Sequence, residues 1–372
     1  MFRNYKLKNL DIKLIIGVIA LTIIGIFVIG SANEANQKRQ IIGMLLGIVV
    51  MAFMALVDYD FLLHLHWLYY VLVIILLGSV LIFGDSAGGA TRWVDLGVIR
   101  FQPSELGKIL LVLFFAWFFM EQQESINTLR TIIIAGVFAA IPLFLIIKEP
   151  DLSTTIVTLM IICVMMYVAG LSYKIVGPVV VLGALAIIVL LYLVSREGQT
   201  ILSEYQGLRI LAWLKPDEYP SSSYQQQNSI MAIGSGQLWG KGLNNDAIDS
   251  VKNGNYISEP HTDFIFAVAG EELGFVGSVA IILLLLFITV EILMISKKAK
   301  DLAGQLICVG IATLVGFQSF VNICVVTGLM PNTGLPLPFV SYGLTSLVTI
   351  YFGIGIVLNV GLQANTNSRR LF

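Results

Sequence analysis

The feature that most constrains this chain is a succession of long apolar runs almost free of charge. They cover residues 12–30, 41–57, 65–83, 106–120, 131–147, 153–170, 175–194, 274–295, 302–329 and 344–362. About 20 such residues, coiled as a helix, cross the hydrocarbon core of a bilayer with every backbone group bonded internally. The balance of the whole chain agrees, with 57% hydrophobic and 12% charged residues, against roughly 45–50% and 25% in soluble domains. The expectation is an all-α integral membrane protein of ten transmembrane helices, one membrane domain over 1–372. The fourth run is short, and the ninth is long enough to be tilted or broken.

Lysine and arginine in the short connections set orientation. Arg3, Lys6 and Lys8 precede the first run, Lys297, Lys298 and Lys300 follow the eighth, and Arg369 and Arg370 end the chain. With ten crossings these fall on one side with Arg130 and Lys174, while Lys38, Arg39, Arg92, Arg100 and Lys148 fall on the other. Both termini are therefore expected in the cytoplasm. Gly30-Ser31-Ala32 offers small residues at a signal-cleavage position, but the run before it exceeds a signal peptide's apolar region, so an uncleaved first helix is expected.

Other signals are weaker. The net charge of −1 comes with no basic tail or aromatic-basic stripe, so nucleic acid is not an expected partner. Cys163, Cys308 and Cys324 lie inside apolar runs and read as small buried hydrophobes. His64 and His66, beside Trp67, Tyr69 and Tyr70, read as part of an interfacial belt.

One connection, residues 195–262, is long and polar, with Pro216, Pro220, a Ser221-Ser222-Ser223 run and glutamines at 225–227. Long loops without structure of their own are uncommon and often functional. On the expected topology this one is extracytoplasmic.

Charges at membrane depth cost roughly 2.5–3.5 kcal/mol on insertion scales, so they are paired or functional. Four clusters stand at run starts on the expected outer side. In the segment Gly88 to Trp93 and on through Pro103-Ser104-Glu105 to Lys108, Pro103 and Ser104 suit a first helical turn. Glu105 and Lys108 share a face at i, i+3, either as a local ion pair or, with Arg92, as a cationic patch for an anionic ligand. Asp151 can cap the sixth helix. Asp263 stands alone before an apolar run, flanked by Phe264 and Phe266. Such a carboxylate is a general-base candidate or a cap on the eighth helix. Glu271 and Glu272 face a cavity or pair with a basic residue. Finally, three prolines and two glycines exclude a regular helix from 331–343; apolar irregular backbone at that depth lines a cavity or is buried in protein. These residues alone fit an enzyme acting on a lipid-linked anion, and equally a transporter.

The same segments resemble the SEDS family (shape, elongation, division and sporulation) of integral-membrane peptidoglycan glycosyltransferases. The matching residues are Gly89-Ala90-Thr91-Arg92-Trp93, Phe101-Gln102-Pro103-Ser104-Glu105 with Lys108, Glu149-Pro150-Asp151-Leu152 and Tyr205-Gln206 with Arg209-Ile210. They continue with Ala232 to Gly236, Gly240-Lys241-Gly242, His261 to Phe266, Glu271 to Gly274 and Thr333 to Gly343. The chain's length and its opening Lys8-Asn9-Leu10-Asp11 resemble the elongation branch more than the division branch. Leu344 departs from the pattern, standing where a second glycine usually follows Ser-Tyr-Gly, at the start of the tenth span.

The resemblance implies polymerisation of lipid II into nascent glycan at the outer face of the bacterial cytoplasmic membrane. It also implies a class B penicillin-binding protein, the crosslinking transpeptidase, as partner. The family's essential acid falls on Asp263. Arg92, Lys108 and Arg209 are the candidates for the diphosphate, with Glu105 orienting Lys108 and Asp151 positioning substrate or a divalent cation such as Mg or Mn. Ser104, Lys241 and Ser341 complete the substrate-contact set, and apolar grooves between helices take the membrane-lipid tails. No dedicated metal motif is present. A lipid II flippase is the main rival, because a polar cavity could carry the headgroup across. Transporters often contain internal repeats; no clear repeat relates the two halves here, and the polar residues gather at one face. A recruiting scaffold ranks last, since it leaves the Asp263 and Arg92 clusters without a purpose.

Overall fold

The computed structural model describes residues 5–87, 90–95, 97, 100–195, 204–244, 250, 254 and 256–364. Arg3, Gly88, Gly89, Arg369 and Arg370 lie outside them, as does part of the large loop.

The chain forms α1 (Ile12–Ala32), α2 (Glu34–Leu56), α3 (Tyr59–His64) and α4 (His66–Phe83), then β1 (Asp85–Ala87), β2 (Ala90–Asp95) and β3 (Arg100–Phe101). It continues as α5 (Pro103–Glu121), α6 (Leu129–Lys148), α7 (Leu152–Val168) and α8 (Tyr173–Val194). Next come α9 (Glu204–Leu214), α10 (Pro220–Ser235), α11 (Ile265–Ser296), α12 (Leu302–Val326) and α13 (Leu344–Leu362). Among the described residues nine helices are long and apolar enough to cross a membrane. At the place of the sixth expected span, α7 is a shorter apolar helix of 17 residues. The chain is a multi-pass membrane protein.

Local chemistry explains where the helices start. Asp11, Asp151 and Asp301 accept from Leu14 N, Thr154 N and Gly304 N at 3.0, 3.0 and 2.8 Å, each satisfying a first-turn N–H that has no helical partner. Pro103 opens α5, where its missing N–H is no loss. Leu344 simply takes the first position of α13, after Gly343 in extended backbone.

The centre of the bundle is α5, buried along nearly its whole length from Pro103 to Phe119. At the other extreme is α8, in which only Val194 is buried. The first and last thirds of the chain interlock through small residues, which let helix backbones approach closely. A Cβ on Gly47 would lie 2.9 Å from the Tyr351 ring, and one on Gly355 would lie 2.7 Å from Met51 O. So α2 and α13 fit only with glycine at those positions.

Three features differ from the sequence expectation. A small antiparallel sheet, β1-β2-β3, fills the connection before α5, with Asp85 opposite Trp93 and Val94 opposite Phe101. Within 195–262, α9 and α10 are helical and fold down on the bundle. Trp213 Nε1 donates to Gly328 O at 2.9 Å, and Gln226 Nε2 to Val325 O and Met330 O, both at 2.7 Å. Lastly, α11 begins nine residues before the expected eighth span and breaks at Gly274 (φ 66°, ψ −163°). The result is a half-helix, 265–273, ahead of the spanning segment.

At the end of the bundle where α1 starts and α13 finishes, a polar network closes on itself. Asn359 donates to Tyr5 OH and Ala55 O and accepts from Tyr59 N and Gln363. Tyr59 OH donates to Asp301 at 2.8 Å, and Lys300 joins Asp60 and Gln363 while lying 4.6 Å from the Tyr59 ring.

Candidate active site

The opposite end gathers the start of α5, the α6–α7 connection, β2, α9, the residues before α11 and the irregular stretch 331–343. Four of the residues singled out in the sequence meet there. Arg92 reaches from β2 to the α6–α7 connection, donating through Nη2 to Pro150 O at 2.8 Å, with Nε 3.5 Å from Asp151 Oδ2. Arg209, on α9, lies over the Tyr205 ring at 4.2 Å and donates to Asn332 O at 3.4 Å.

Gly334 (φ 75°) marks where the charges converge. A Cβ there would stand 3.2 Å from Asp263 Oδ2, 3.3 Å from Arg92 Nη1 and 3.7 Å from Arg209 Nη1. Only glycine suits both that backbone and that space. A carboxylate and two guanidiniums thus border one spot the size of a small group.

Asp263 does not cap α11. The N-cap residue is Phe264, and no side chain closes that helix start. Asp263 is instead held by its backbone: Asn322 Nδ2 donates to Asp263 O at 2.8 Å and to Leu335 O at 2.6 Å. Among the described residues no group hydrogen-bonds to its carboxylate or pairs with it within 4 Å. Burial pushes this carboxyl above the usual range, to about 6, against the pull of Arg209 and Arg92.

The remaining candidates lie around this centre rather than in it. Lys108 is fully buried on α5, with Nζ 2.7 Å from both Glu105 Oε1 and Gln318 Oε1. Gln318 in turn donates to Pro336 O at 3.0 Å. Of the two readings the spacing allows, this geometry shows the local ion pair: the ammonium bonds inward and, through Gln318, props the 331–343 stretch. Ser341 spends its hydroxyl on Thr262 O at 2.8 Å and receives Leu337 N at 2.7 Å, so it holds the residue beside Asp263. Ser104 is buried with no partner for its hydroxyl among the described residues. Lys241 stands apart, paired at 2.8 Å with Glu271.

The sequence reading does not single out Asn322 and Gln318, and it includes Glu149 and Gly334 only within family-matching stretches. A signal existed for two: Gln318 and Asn322 lie four apart on one face of an apolar helix, where amides are costly unless used. Glu149 is fully buried at the end of α6, and neither carboxyl oxygen has a partner among the described residues. Burial and then Asp151 push it up to about 8, with Arg92 opposing.

Successive residues of a strand face opposite ways. Arg92 on β2 serves the charged centre, while Trp93 lines a cleft of about 580 Å³ with Arg39, Arg100, Glu259, His261 and Tyr342. Thr262, next to Asp263, borders the same cleft. Among the described residues no group of three or more His, Cys, Asp or Glu is set to hold a metal ion, and Arg92 and Arg209 crowd the two aspartates.

The multi-pass helical bundle thus carries, at one end, a carboxylate bordered by two arginines beside a polar cleft. The chain belongs to the FtsW/RodA/SpoVE family, described as cell cycle protein, whose profile matches residues 8–366. It is 34% identical over 358 residues to the peptidoglycan glycosyltransferase MrdB of Escherichia coli K12, covering 95% of this chain and 93% of that one. Stage V sporulation protein E of Bacillus subtilis 168 is 35% identical over 365 residues, 94% and 96% of the two chains. A chain from a solved structure, "Structural coordination of polymerization and crosslinking by a peptidoglycan synthase complex", superposes with a TM-score of 0.77 at 28% identity, over 94% and 97% of the chains.

Proposed function

We propose that this protein is a peptidoglycan glycosyltransferase that polymerises lipid II into β-1,4-linked glycan, with Asp263 as general base. The observation that carries the reading is the unpartnered Asp263 carboxylate, held from behind by Asn322 and bordered by Arg92 and Arg209. The acceptor's 4-hydroxyl oxygen attacks the donor's anomeric carbon from the face opposite the diphosphate. A new C–O bond forms as the bond to the diphosphate breaks, inverting that carbon, and the hydroxyl proton passes to Asp263. General-base help of this kind contributes roughly 10²–10⁴-fold.

The leaving lipid diphosphate carries its own charge away and needs cations more than a proton. Arg92 and Arg209 supply planar forks suited to phosphate. Gly334 leaves room for the reacting atoms, while Lys108, Glu105 and Ser341 act on the backbone around them. The cleft beyond β2 accommodates the disaccharide headgroup, with Trp93 and Tyr342 as faces for sugar rings. On this reading ten segments cross the cytoplasmic membrane, both termini are cytoplasmic, the site faces outward, and a class B penicillin-binding protein crosslinks the product. Elongation rather than division is the assigned role, on the residues at the start of the chain.

The test is polymerisation of labelled lipid II by purified protein, with and without its transpeptidase, in the presence of divalent cation. Glycan from the wild type and roughly 10²–10⁴-fold less from Asp263→Asn is the expected result. No glycan under any condition, with headgroup translocation in liposomes, would turn the reading to a flippase.

A further inference from the structure

The break in α11 is filled by a piece of the large loop. Where Gly274 interrupts the helix, Glu271 O and Glu272 O accept from Lys241 N and Gly242 N at 2.9 and 3.0 Å. Phe275 N and Val276 N donate to Gln237 O and Leu238 O at 2.8 and 3.2 Å. The loop thus satisfies the backbone groups the break would leave open, which a membrane segment requires. The fit is tight: a Cβ on Gly236 would lie 2.0 Å from Gly270 O, and one on Gly240 2.1 Å from Glu272 O. The Lys241–Glu271 ion pair adds a side-chain tie.

What the loop shows to the outside is apolar. Trp239 is 75% exposed, Leu238 52% and Leu243 43%. Through the backbone contacts of Gln237, Leu238 and Trp239 they sit beside Phe275 and Val276, the first exposed apolar side chains of the spanning part of α11. From there to Ser296 the helix runs about 33 Å at 1.5 Å per residue, enough for the hydrocarbon core of roughly 30 Å. Residue 275 therefore marks a membrane boundary, and the loop tip lies on it. A tryptophan with an apolar body and one polar N–H suits that boundary, and the lipid-facing side of α11 continues directly into the tip.

We propose that residues 237–243 form an interfacial anchor, with Leu238, Trp239 and Leu243 seated at the headgroup–acyl boundary. Because the loop is bonded to both sides of the break, the anchor fixes the depth of the half-helix 265–273 and of Asp263 just before it. The lipid diphosphate invoked above lies at that depth, so this consequence rests on the proposed function; the seating in lipid does not.

The seating is tested with a nitroxide on Trp239→Cys, in a Cys163→Ala background, reconstituted in phosphatidylethanolamine–phosphatidylglycerol nanodiscs. Collisions with oxygen exceeding those with a water-soluble nickel chelate support the anchor. A nickel-dominated signal, or protection from both reagents as under a protein partner, overturns it. Adding Asp263→Asn to the labelled protein must leave the depth unchanged, so this measurement stands or falls apart from the chemistry. For the depth-setting role, Trp239→Phe is expected to polymerise within about twofold of wild type and Trp239→Glu on the order of tenfold less, since a charge is disfavoured at that level. Wild-type rates from a folded Trp239→Glu protein would remove that role.

Discussion

The two polar ends of this bundle are built to opposite rules. At the closed end, Asn359, Gln363, Tyr59, Asp301 and Lys300 use their polar atoms on one another and on the backbone. At the Asp263 end, Glu149, Asn332, Thr333 and Ser104 each keep a buried polar atom without a partner among the described residues. Unsatisfied buried groups cost about 1–3 kcal/mol each, so a chain retains them where something else, a substrate or water, completes them. The lesson is that a buried polar cluster in a membrane protein is read by what it leaves open, more than by how many charges it holds.

Substitutions can break this contrast. Asp263→Asn should lower lipid II polymerisation by roughly 10²–10⁴-fold while the protein still purifies as a folded bundle. Its thermal stability should hold or rise at neutral pH. A carboxyl whose folded pKa exceeds its unfolded value makes ionisation unfavourable to folding above about pH 4, and the amide removes that burden. A stability loss with activity intact would move Asp263 to the closed-end type.

Arg209→Gln should come next. Charge-assisted hydrogen bonds are worth about 1.5–3 kcal/mol, so roughly a 10- to 100-fold loss in kcat/KM is expected, with the fold retained. A smaller effect follows from acidity. With Asp263 at about 6, its ionised share falls as pH drops through that value, and polymerisation at pH 5 should be about a tenth of its plateau. The Asp263→Asn residual rate should lose this limb, which a profile of both proteins would reveal.

The smallest effect on chemistry belongs to the closed end. Asn359→Ala orphans Tyr59 N and Ala55 O, with an expected stability loss of about 1–3 kcal/mol and an unchanged rate per folded molecule. A rate loss without a shift in melting would erase the distinction between the ends.

Much of the spanning architecture was legible, because runs of apolar residues have one solution in a bilayer. The expected start of the eighth span at residue 274 falls on the Gly274 break, and the proline-rich 331–343 stretch is irregular as its composition demands. Asp263 stood out as a lone carboxylate before an apolar run. The convergence at Gly334 was not legible, since it depends on three distant segments meeting at one glycine. The sheet before α5 escaped notice because its strands are short. The i, i+3 spacing of Glu105 and Lys108 reports the ion pair they form but is silent about Gln318, 210 residues further on.

The glycine-mediated fit of α2 against α13 has a consequence in time. α2 packs on α13, and everything from residue 57 to 343 is synthesised between them. At roughly 5–20 residues per second, α2 waits on the order of tens of seconds before its mate exists. The matching face of α2 therefore stays half-assembled until α13 follows, and a chain cut short before α13 leaves the membrane holding an unfinished interface.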